Sequence, residues 1–151
     1  MTETKTELSR MLGCSGFAAT LTRSGVLKVR NNGRWTDARF RSFIISALRG
    51  AHGKWGVKHD VKKASWVERG KYKCAACKKI GPATLPALEG RKRKRNNAAV
   101  DHIDPVVKPE VGFVDWNTYI DRMFLEASGY QVLCYKCHAE KTAAERKRRK
   151  K

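Results

Sequence analysis

Apolar residues recur at intervals of three and four positions between residues 36 and 50, which predicts an amphipathic helix. Thr36 or Asp37 is the expected N-cap, and Gly50 is expected to end the helix. Because the stripe is continuous, we expect it to face a hydrophobic core. Its members are Phe40, Phe43, Ile44, Ala47 and Leu48.

Further helices are predicted on either side of this one. Residues 4–23 contain two short apolar runs separated by a Gly-containing break, which fits a helix-turn-helix and a plain packing hairpin equally well. Residues 51–73 are interpreted as an irregular link followed by a short helix near 60–69. A helix capped by Asp115 is predicted over 115–127, and a last helix begins near Cys137 and continues into the basic C-terminus.

Other segments have the pattern of strands and loops. Residues 25–35 alternate between apolar and basic positions and contain an Asn-Gly turn, which predicts a small hairpin. Ala98–Val100 and Tyr130–Leu133 are predicted strands, and residues 81–98 an exposed loop. The fold class is therefore α+β and mostly helical. We expect a basic N-terminal helical region over 1–69 and a second region over 70–151.

The charge of the chain indicates a polyanionic partner. Lys and Arg number 33 against 14 Asp and Glu, a formal net charge of +19. Such an excess opposes compaction and is typical of proteins that bind nucleic acid. No apolar run approaches the length of a membrane span, and the N-terminus lacks a signal-peptide pattern, so a cytoplasmic protein without a membrane partner is expected.

Two Cys-x-x-Cys pairs, Cys74–Cys77 and Cys134–Cys137, indicate a metal site. In a reducing compartment such pairs are typical zinc ligands, and four thiolates complete a tetrahedral shell. Because all four positions would be filled, this zinc is expected to be structural. The fifth cysteine, Cys14, is interpreted as a small buried hydrophobic residue.

Between the cysteine pairs lies the segment Val100-Asp-His-Ile-Asp-Pro105, and the second pair continues as Leu133-Cys-Tyr-Lys-Cys-His-Ala-Glu-Lys-Thr142. The order of strand with Asp-His at its end, long loop, strand and helix resembles the HNH endonucleases, the ββα-metal nuclease family. The upstream knuckle Tyr72-Lys-Cys-Ala-Ala-Cys77 belongs to the same pattern. The resemblance covers about residues 70–145 and extends to small nucleases encoded by bacterial viruses, which would place the protein in the host cytoplasm.

The resemblance implies a role for each matched position. His102 would be the general base that activates water, since an imidazole titrates near neutral pH. Asp101 and His138 would bind a catalytic divalent ion, Mg²⁺ in the first place, with Mn²⁺ or Ni²⁺ as substitutes. The substrate would be double-stranded DNA, cut to leave 5′-phosphate and 3′-hydroxyl ends by a monomer or a transient dimer.

One position departs from the family pattern. At the position nearest to the family's middle Asn this chain has Gly129. Asn117 is therefore the candidate residue that would brace the active-site loop, unless this brace is missing. Asp104 is either near the ion or a turn cap before Pro105. The N-terminal region over 1–69 is expected to dock on DNA, and the region over 70–151 would be the nuclease core with the zinc site and a basic C-terminal tail. The expected DNA contacts within that core are the basic run Arg91, Lys92, Arg93, Lys94 and Arg95, together with Lys141. The alternative function is a zinc-dependent DNA- or RNA-binding protein without catalysis.

Overall fold

A computed structural model describes residues 20–149 of the chain. It divides into an N-terminal unit, Met1–Ala51, and a C-terminal unit, His52–Lys151. The proposed helix-turn-helix over 4–23 lies almost entirely outside the described residues, and Cys14 lies outside them as well. None of the helices in the described part is long and apolar enough to cross a bilayer.

The N-terminal unit contains a hairpin and a helix. β1 (Thr20–Leu21) pairs antiparallel with β2 (Leu27–Lys28), and a second tight turn brings Arg30 opposite Trp35. Gly33 in that turn has φ of 73°, a conformation in which glycine avoids the strain of a Cβ atom, so the predicted Asn-Gly turn is confirmed. α1 (Asp37–His52) follows.

α1 confirms the predicted helix but not the predicted core. The Thr36 hydroxyl accepts a hydrogen bond from the Arg39 amide, so Thr36 caps the helix. The helix continues through Gly50 to His52, and none of its residues is buried. Phe43 is 54% exposed and packs against the Trp35 ring at 5.2 Å between centroids. The expectation of a buried core along this stripe is therefore wrong, because each of its residues keeps part of its surface open to solvent.

The C-terminal unit is built from short strands and three helices. α2 (Gly56–Ala64) precedes a three-stranded antiparallel sheet of β3 (Trp66–Glu68), β4 (Lys71–Lys73) and β5 (Ile80–Pro82). β6 (Thr84–Leu85) pairs with β7 (Arg95–Asn96), and β8 (Ala99–His102) pairs with β9 (Tyr130–Leu133). α3 (Trp116–Met123) lies in the connection between β8 and β9, and α4 (Tyr135–Arg149) follows β9.

These elements confirm an α+β fold and correct its details. Fewer than half of the residues in the range 20–149 are helical, so this part of the chain is not mostly helical. The helix expected near 60–69 begins and ends earlier, because residues 66–68 pair with β4 as a strand. The segment 81–98 is not one open loop, since β6 and β7 close it into a hairpin. α2 and β3, which sequence analysis assigns to the N-terminal region, lie in the C-terminal unit.

The core of the C-terminal unit surrounds the cysteine pairs. Its buried members come from β4, the first knuckle, the start of β8 and the end of β9: Tyr72, Cys74, Ala98, Val132 and Leu133. α2 and α4 both pack against the β8–β9 ribbon. The Asp115 carboxylate accepts a hydrogen bond from the Thr118 amide at 2.8 Å, so it caps α3 as predicted, and Tyr119 and Met123 form the buried side of that helix.

A buried asparagine joins three segments of this core. The amide nitrogen of Asn97 donates to the Pro82 carbonyl at 2.8 Å, and its side-chain oxygen accepts from the Tyr135 amide at 3.0 Å. Its backbone carbonyl accepts from the buried Tyr72 hydroxyl at 2.8 Å. Asn97 therefore ties β5, the start of α4 and β4 to the entry of β8.

We expect Asn97→Ala to lower the free energy of unfolding by about 2–3 kcal/mol, because the Pro82 carbonyl and the first amide of α4 lose their partners. Urea denaturation of the zinc-loaded protein measures this. The matched control is Asn117→Ala at an exposed asparagine, with an expected change within about 0.5 kcal/mol. Equal effects of the two substitutions would contradict the role of Asn97.

Candidate metal centres and catalytic cluster

The four paired cysteines meet in one cluster. The sulfur atoms of Cys74, Cys77, Cys134 and Cys137 all lie within 4.8 Å of one another. Cys74 is buried after β4, and the second pair lies where β9 passes into α4. Among residues 20–149 this is the only group of three or more potential ligands close enough to hold an ion.

Backbone amides of both cysteine pairs favour the thiolate form of Cys74. Burial acts to raise the pKa of the Cys74 thiol, but amide hydrogen bonds from Cys134, Cys77 and Ala76 outweigh it and lower that pKa to about 6. The Cys134 amide lies 3.3 Å from the Cys74 sulfur. Lys78 adopts a left-handed conformation with φ of 60°, and its amide donates to the Cys74 carbonyl, which closes the turn.

The raised pKa of Cys137 indicates that the cluster would be stabilised by a cation. Hydrogen bonds from the Cys137 thiol to Cys134, together with burial and the remaining sulfurs, raise the pKa of Cys137 to about 12. Four thiolates at this spacing repel one another unless a cation neutralises them. Four sulfurs in this arrangement suit tetrahedral zinc, whose bonds to thiolate are about 2.3 Å long. The predicted structural metal site is therefore supported by the fold.

The β8–β9 ribbon brings Asp101 to the helix that follows it. Asp101 lies opposite Gln131 in the ribbon, and α4 packs on the same two strands. The Asp101 Oδ1 atom lies 3.9 Å from His138 Nε2 on the first turn of α4. The Asp101 side chain is 20% exposed and that of His138 is 43% exposed, so both are partly open to solvent.

Lys141 forms an ion pair with the Asp101 carboxylate beside His138. Its ammonium donates to Asp101 Oδ2 at 2.6 Å and to the His102 carbonyl oxygen, and it lies 3.2 Å from Glu145 Oε1. The Lys141 ammonium therefore binds Asp101 and the strand end, and it is not a free surface group that could contact a phosphate. Glu145 was missed by sequence analysis, although its spacing of four residues from Lys141 on one helix is a recognisable signal.

His102 lies on the other face of the same strand end. Adjacent strand residues point to opposite faces, so Asp101 faces α4 while His102 faces the loop after α3. His102 Nε2 lies 3.0 Å from the Met123 carbonyl oxygen. A carbonyl only accepts, so Nε2 carries the proton and the lone pair of a neutral His102 is on Nδ1.

The ring of His102 packs against two other rings. His52 stacks on it at 5.1 Å between centroids with an interplanar angle of 23°, and Tyr130 lies at 4.8 Å. His52 is therefore partly buried among these rings and is not a solvated side chain. Burial, with smaller contributions from Lys58 and His102, lowers the pKa of His52 to about 4, so it is neutral at pH 7. No local sequence signal marks His52, because its partners lie 50 and 78 positions away.

Asn117 is not brought to this cluster. It is exposed in the first turn of α3, and its side chain has no hydrogen bond to any residue in the range 20–149. Gly129 could not be replaced by the asparagine of the family pattern without rearrangement, because a Cβ atom there would lie 2.5 Å from Leu125 Cδ1. The Gly129 carbonyl instead accepts from the Ile103 amide at 3.0 Å. His102 is held by the Met123 carbonyl.

The remaining predicted residues lie at the surface. Arg91, Lys92, Arg93 and Lys94 are exposed in the hairpin loop between β6 and β7. Arg95 is less available, since its Nε donates to the Pro86 carbonyl and its guanidinium lies over the Tyr135 ring at 5.6 Å. Asp104 is exposed beyond the strand end.

Comparison of the chain with protein-family models, with curated proteins and with solved structures finds no match. Any assignment of function therefore rests on the geometry of the described residues.

We expect one zinc ion per chain, with its removal unfolding the C-terminal unit, because structural zinc binding is worth about 10 kcal/mol or more and a whole domain about 5–15 kcal/mol. Elemental analysis and a thermal melt before and after chelation measure this. Cys77→Ser should lose zinc, whereas Cys14→Ser, at the one cysteine outside the pairs, should retain it. An unchanged melting temperature after verified loss of the metal would rule out a structural role for the zinc.

Proposed function

We propose that this chain is a metal-dependent DNA endonuclease of the ββα-metal type. One observation carries the proposal: Asp101 and His138 approach to 3.9 Å at the end of the β8–β9 ribbon. The residue after Asp101 is His102, whose Nδ1 atom has a free lone pair. A domain stapled by four cysteines does not need an Asp, a His and a second His in these places. Their convergence favours chemistry over a purely structural role.

Asp101 Oδ1 and His138 Nε2 would hold the divalent ion. Ligands about 2.1 Å from an octahedral ion are about 3.0 Å apart in adjacent positions and about 4.2 Å apart in opposite ones. The observed 3.9 Å lies between these limits, so a small side-chain rotation is enough. When bound, Mg²⁺ would stabilise negative charge on the scissile phosphate and the leaving 3′ oxygen. Water and phosphate oxygens would complete the shell, as Mg²⁺ prefers, and Mn²⁺ or Ni²⁺ also suit a site with one imidazole.

His102 would take the proton from the attacking water. Its Nε2–H donates to the Met123 carbonyl, which fixes the ring and leaves Nδ1 as the only basic atom. The packed rings of His52 and Tyr130 limit rotation of the imidazole. The orientation of a base contributes to catalysis because proton transfer requires hydrogen-bond distance to the water.

Lys141 would serve the site in two ways. By holding Asp101 Oδ2 it leaves Oδ1 as the single oxygen directed at His138, so the carboxylate would bind the ion through one atom. By donating to the His102 carbonyl it also fixes the strand end that carries the base. This role differs from the outer phosphate contact that the sequence suggested.

The charge of the chain supports DNA as the substrate. A net charge of +19 favours binding to a polyanion by release of its counterions. The four exposed basic residues of the β6–β7 loop are free to contact phosphates, and such contacts position a protein without reading sequence. The products would be 5′-phosphate and 3′-hydroxyl ends. One catalytic site cuts one strand, so a monomer would nick and a transient dimer would cut both strands.

We expect His102→Ala to abolish Mg²⁺-dependent nicking of a supercoiled plasmid while salt-sensitive DNA binding persists. A general base contributes about 10²–10⁴-fold, so the residual rate should be at least a hundredfold lower. His59→Ala, at an exposed histidine, is the control and should nick normally. Absence of nicking in the wild type, with binding intact, would favour the non-catalytic zinc-dependent binder.

His138→Ala is expected to raise the Mg²⁺ concentration for half-maximal nicking by about tenfold or more, because one of two protein ligands is lost. A metal titration of the nicking rate measures this, with the zinc content checked in the same samples. A titration curve that coincides with that of the wild type would remove His138 from the site.

A further inference from the structure

A chain of hydrogen bonds links Lys58 to the carbonyl that holds His102. The Lys58 ammonium lies 3.5 Å from His52 Nδ1 and 3.5 Å from the His52 carbonyl oxygen. His52 Nε2 lies 3.0 Å from the Tyr130 hydroxyl oxygen, and that hydroxyl donates to the Met123 carbonyl at 2.8 Å. The same carbonyl accepts from His102 Nε2.

The direction of every bond in this chain is fixed by its ends. The Met123 carbonyl can only accept, so the Tyr130 hydroxyl proton points towards it. The Tyr130 oxygen must then accept, and it does so from the Leu125 amide at 3.2 Å and from His52 Nε2. His52 is therefore protonated on Nε2, which leaves Nδ1 to accept from Lys58, a group that can only donate. A doubly protonated His52 would lose this bond and face the lysine charge.

We propose that His52 and Tyr130 are positioning residues that hold His102 as the Nε2–H tautomer, which leaves the lone pair of its Nδ1 atom available to accept a proton. The consequence for catalysis rests on the proposed nuclease function, whereas the tautomer itself does not. His52 stacks on the His102 ring and Tyr130 packs at its side, so the three rings lie within 5.9 Å of one another. Trp55, whose ring nitrogen donates to the Leu125 carbonyl, and Phe124, which packs edge-on against His52, support the same loop.

This arrangement supplies what the family asparagine would otherwise supply. The Met123 carbonyl lies at the end of α3, and the loop that follows over residues 124–129 contains no asparagine to brace it, since Gly129 occupies that place and Asn117 is exposed. Tyr130 connects both ends of the loop, because its hydroxyl contacts Met123 and Leu125 while its backbone belongs to β9. His52 then fixes the hydroxyl of Tyr130 from the opposite side.

Nitrogen NMR of the imidazole rings in the zinc-loaded protein tests the proposal directly. The chain has four histidines, so substituting one at a time assigns each signal. We expect the wild type at neutral pH to show His52 and His102 both as Nε2–H tautomers. A wild-type His102 protonated on Nδ1 would overturn the proposal, whether or not the protein cuts DNA.

Two variants test the contribution of the chain to the reaction. His52→Phe keeps a ring against His102 but removes the bonds to Tyr130 and Lys58, and Tyr130→Phe removes only the hydroxyl. For folded protein, confirmed by thermal melting, we expect each variant to lower kcat about tenfold or more with KM within about twofold, in the range known for residues that orient a functional side chain. His59→Phe, at the exposed histidine of α2, is the matched control.

The outcomes separate the two claims. Unchanged kcat in both folded variants would overturn the positioning role, and a His102 tautomer unaltered by both substitutions would do the same. If His52→Phe fails to fold, Tyr130→Phe and the wild-type spectrum still decide the question. A wild type that cuts no DNA but shows the expected tautomers would contradict the nuclease proposal and retain the structural one.

Discussion

The meeting of four sulfur atoms at the junction of β9 and α4 is the constraint that determines the rest of the C-terminal unit. The core is small: within residues 20–149 the largest fully buried side chains are those of Tyr72, Leu133 and Cys74. The second cysteine pair lies at the point where the chain leaves the ribbon and enters the helix that carries His138 and Lys141. Joining that point to the knuckle after β4 fixes α4 against β8 and therefore sets the separation of His138 from Asp101.

The last two side chains of β8 lie in two different environments. On one face the Asp101 carboxylate divides its oxygens between a lysine and a histidine, in a place that is partly open to solvent. On the other face His102 lies among aromatic rings, with one nitrogen bound to a carbonyl. Two adjacent residues of a strand can differ this much because their side chains point in opposite directions. In the proposed nuclease, this one dipeptide would supply both a ligand for the ion and the general base.

Sequence patterns predicted what depends on local spacing. The cysteine pairs, the Asp115 cap, the hairpin turn at Gly33 and the β8–β9 strands could all be recognised because their signals lie within a few residues. The exposure of the apolar face of α1 could not be predicted, since a helical period shows which face is apolar but not whether anything covers it. The partners of His52 and the clash that a side chain at Gly129 would meet depend on contacts across the fold, which no local pattern contains. Lys141 was recognised as basic, but its ion pair with Asp101 joins residues 40 positions apart.

The most direct test is X-ray diffraction from crystals soaked in Mn²⁺, with anomalous data collected to distinguish manganese from zinc. We expect zinc bound by Cys74, Cys77, Cys134 and Cys137, and manganese about 2.1–2.2 Å from Asp101 Oδ1 and His138 Nε2, with His102 Nε2 still bound to the Met123 carbonyl. Occupied zinc with no manganese between Asp101 and His138 at millimolar Mn²⁺, in crystals where both side chains remain open to solvent, would contradict the proposed catalytic site.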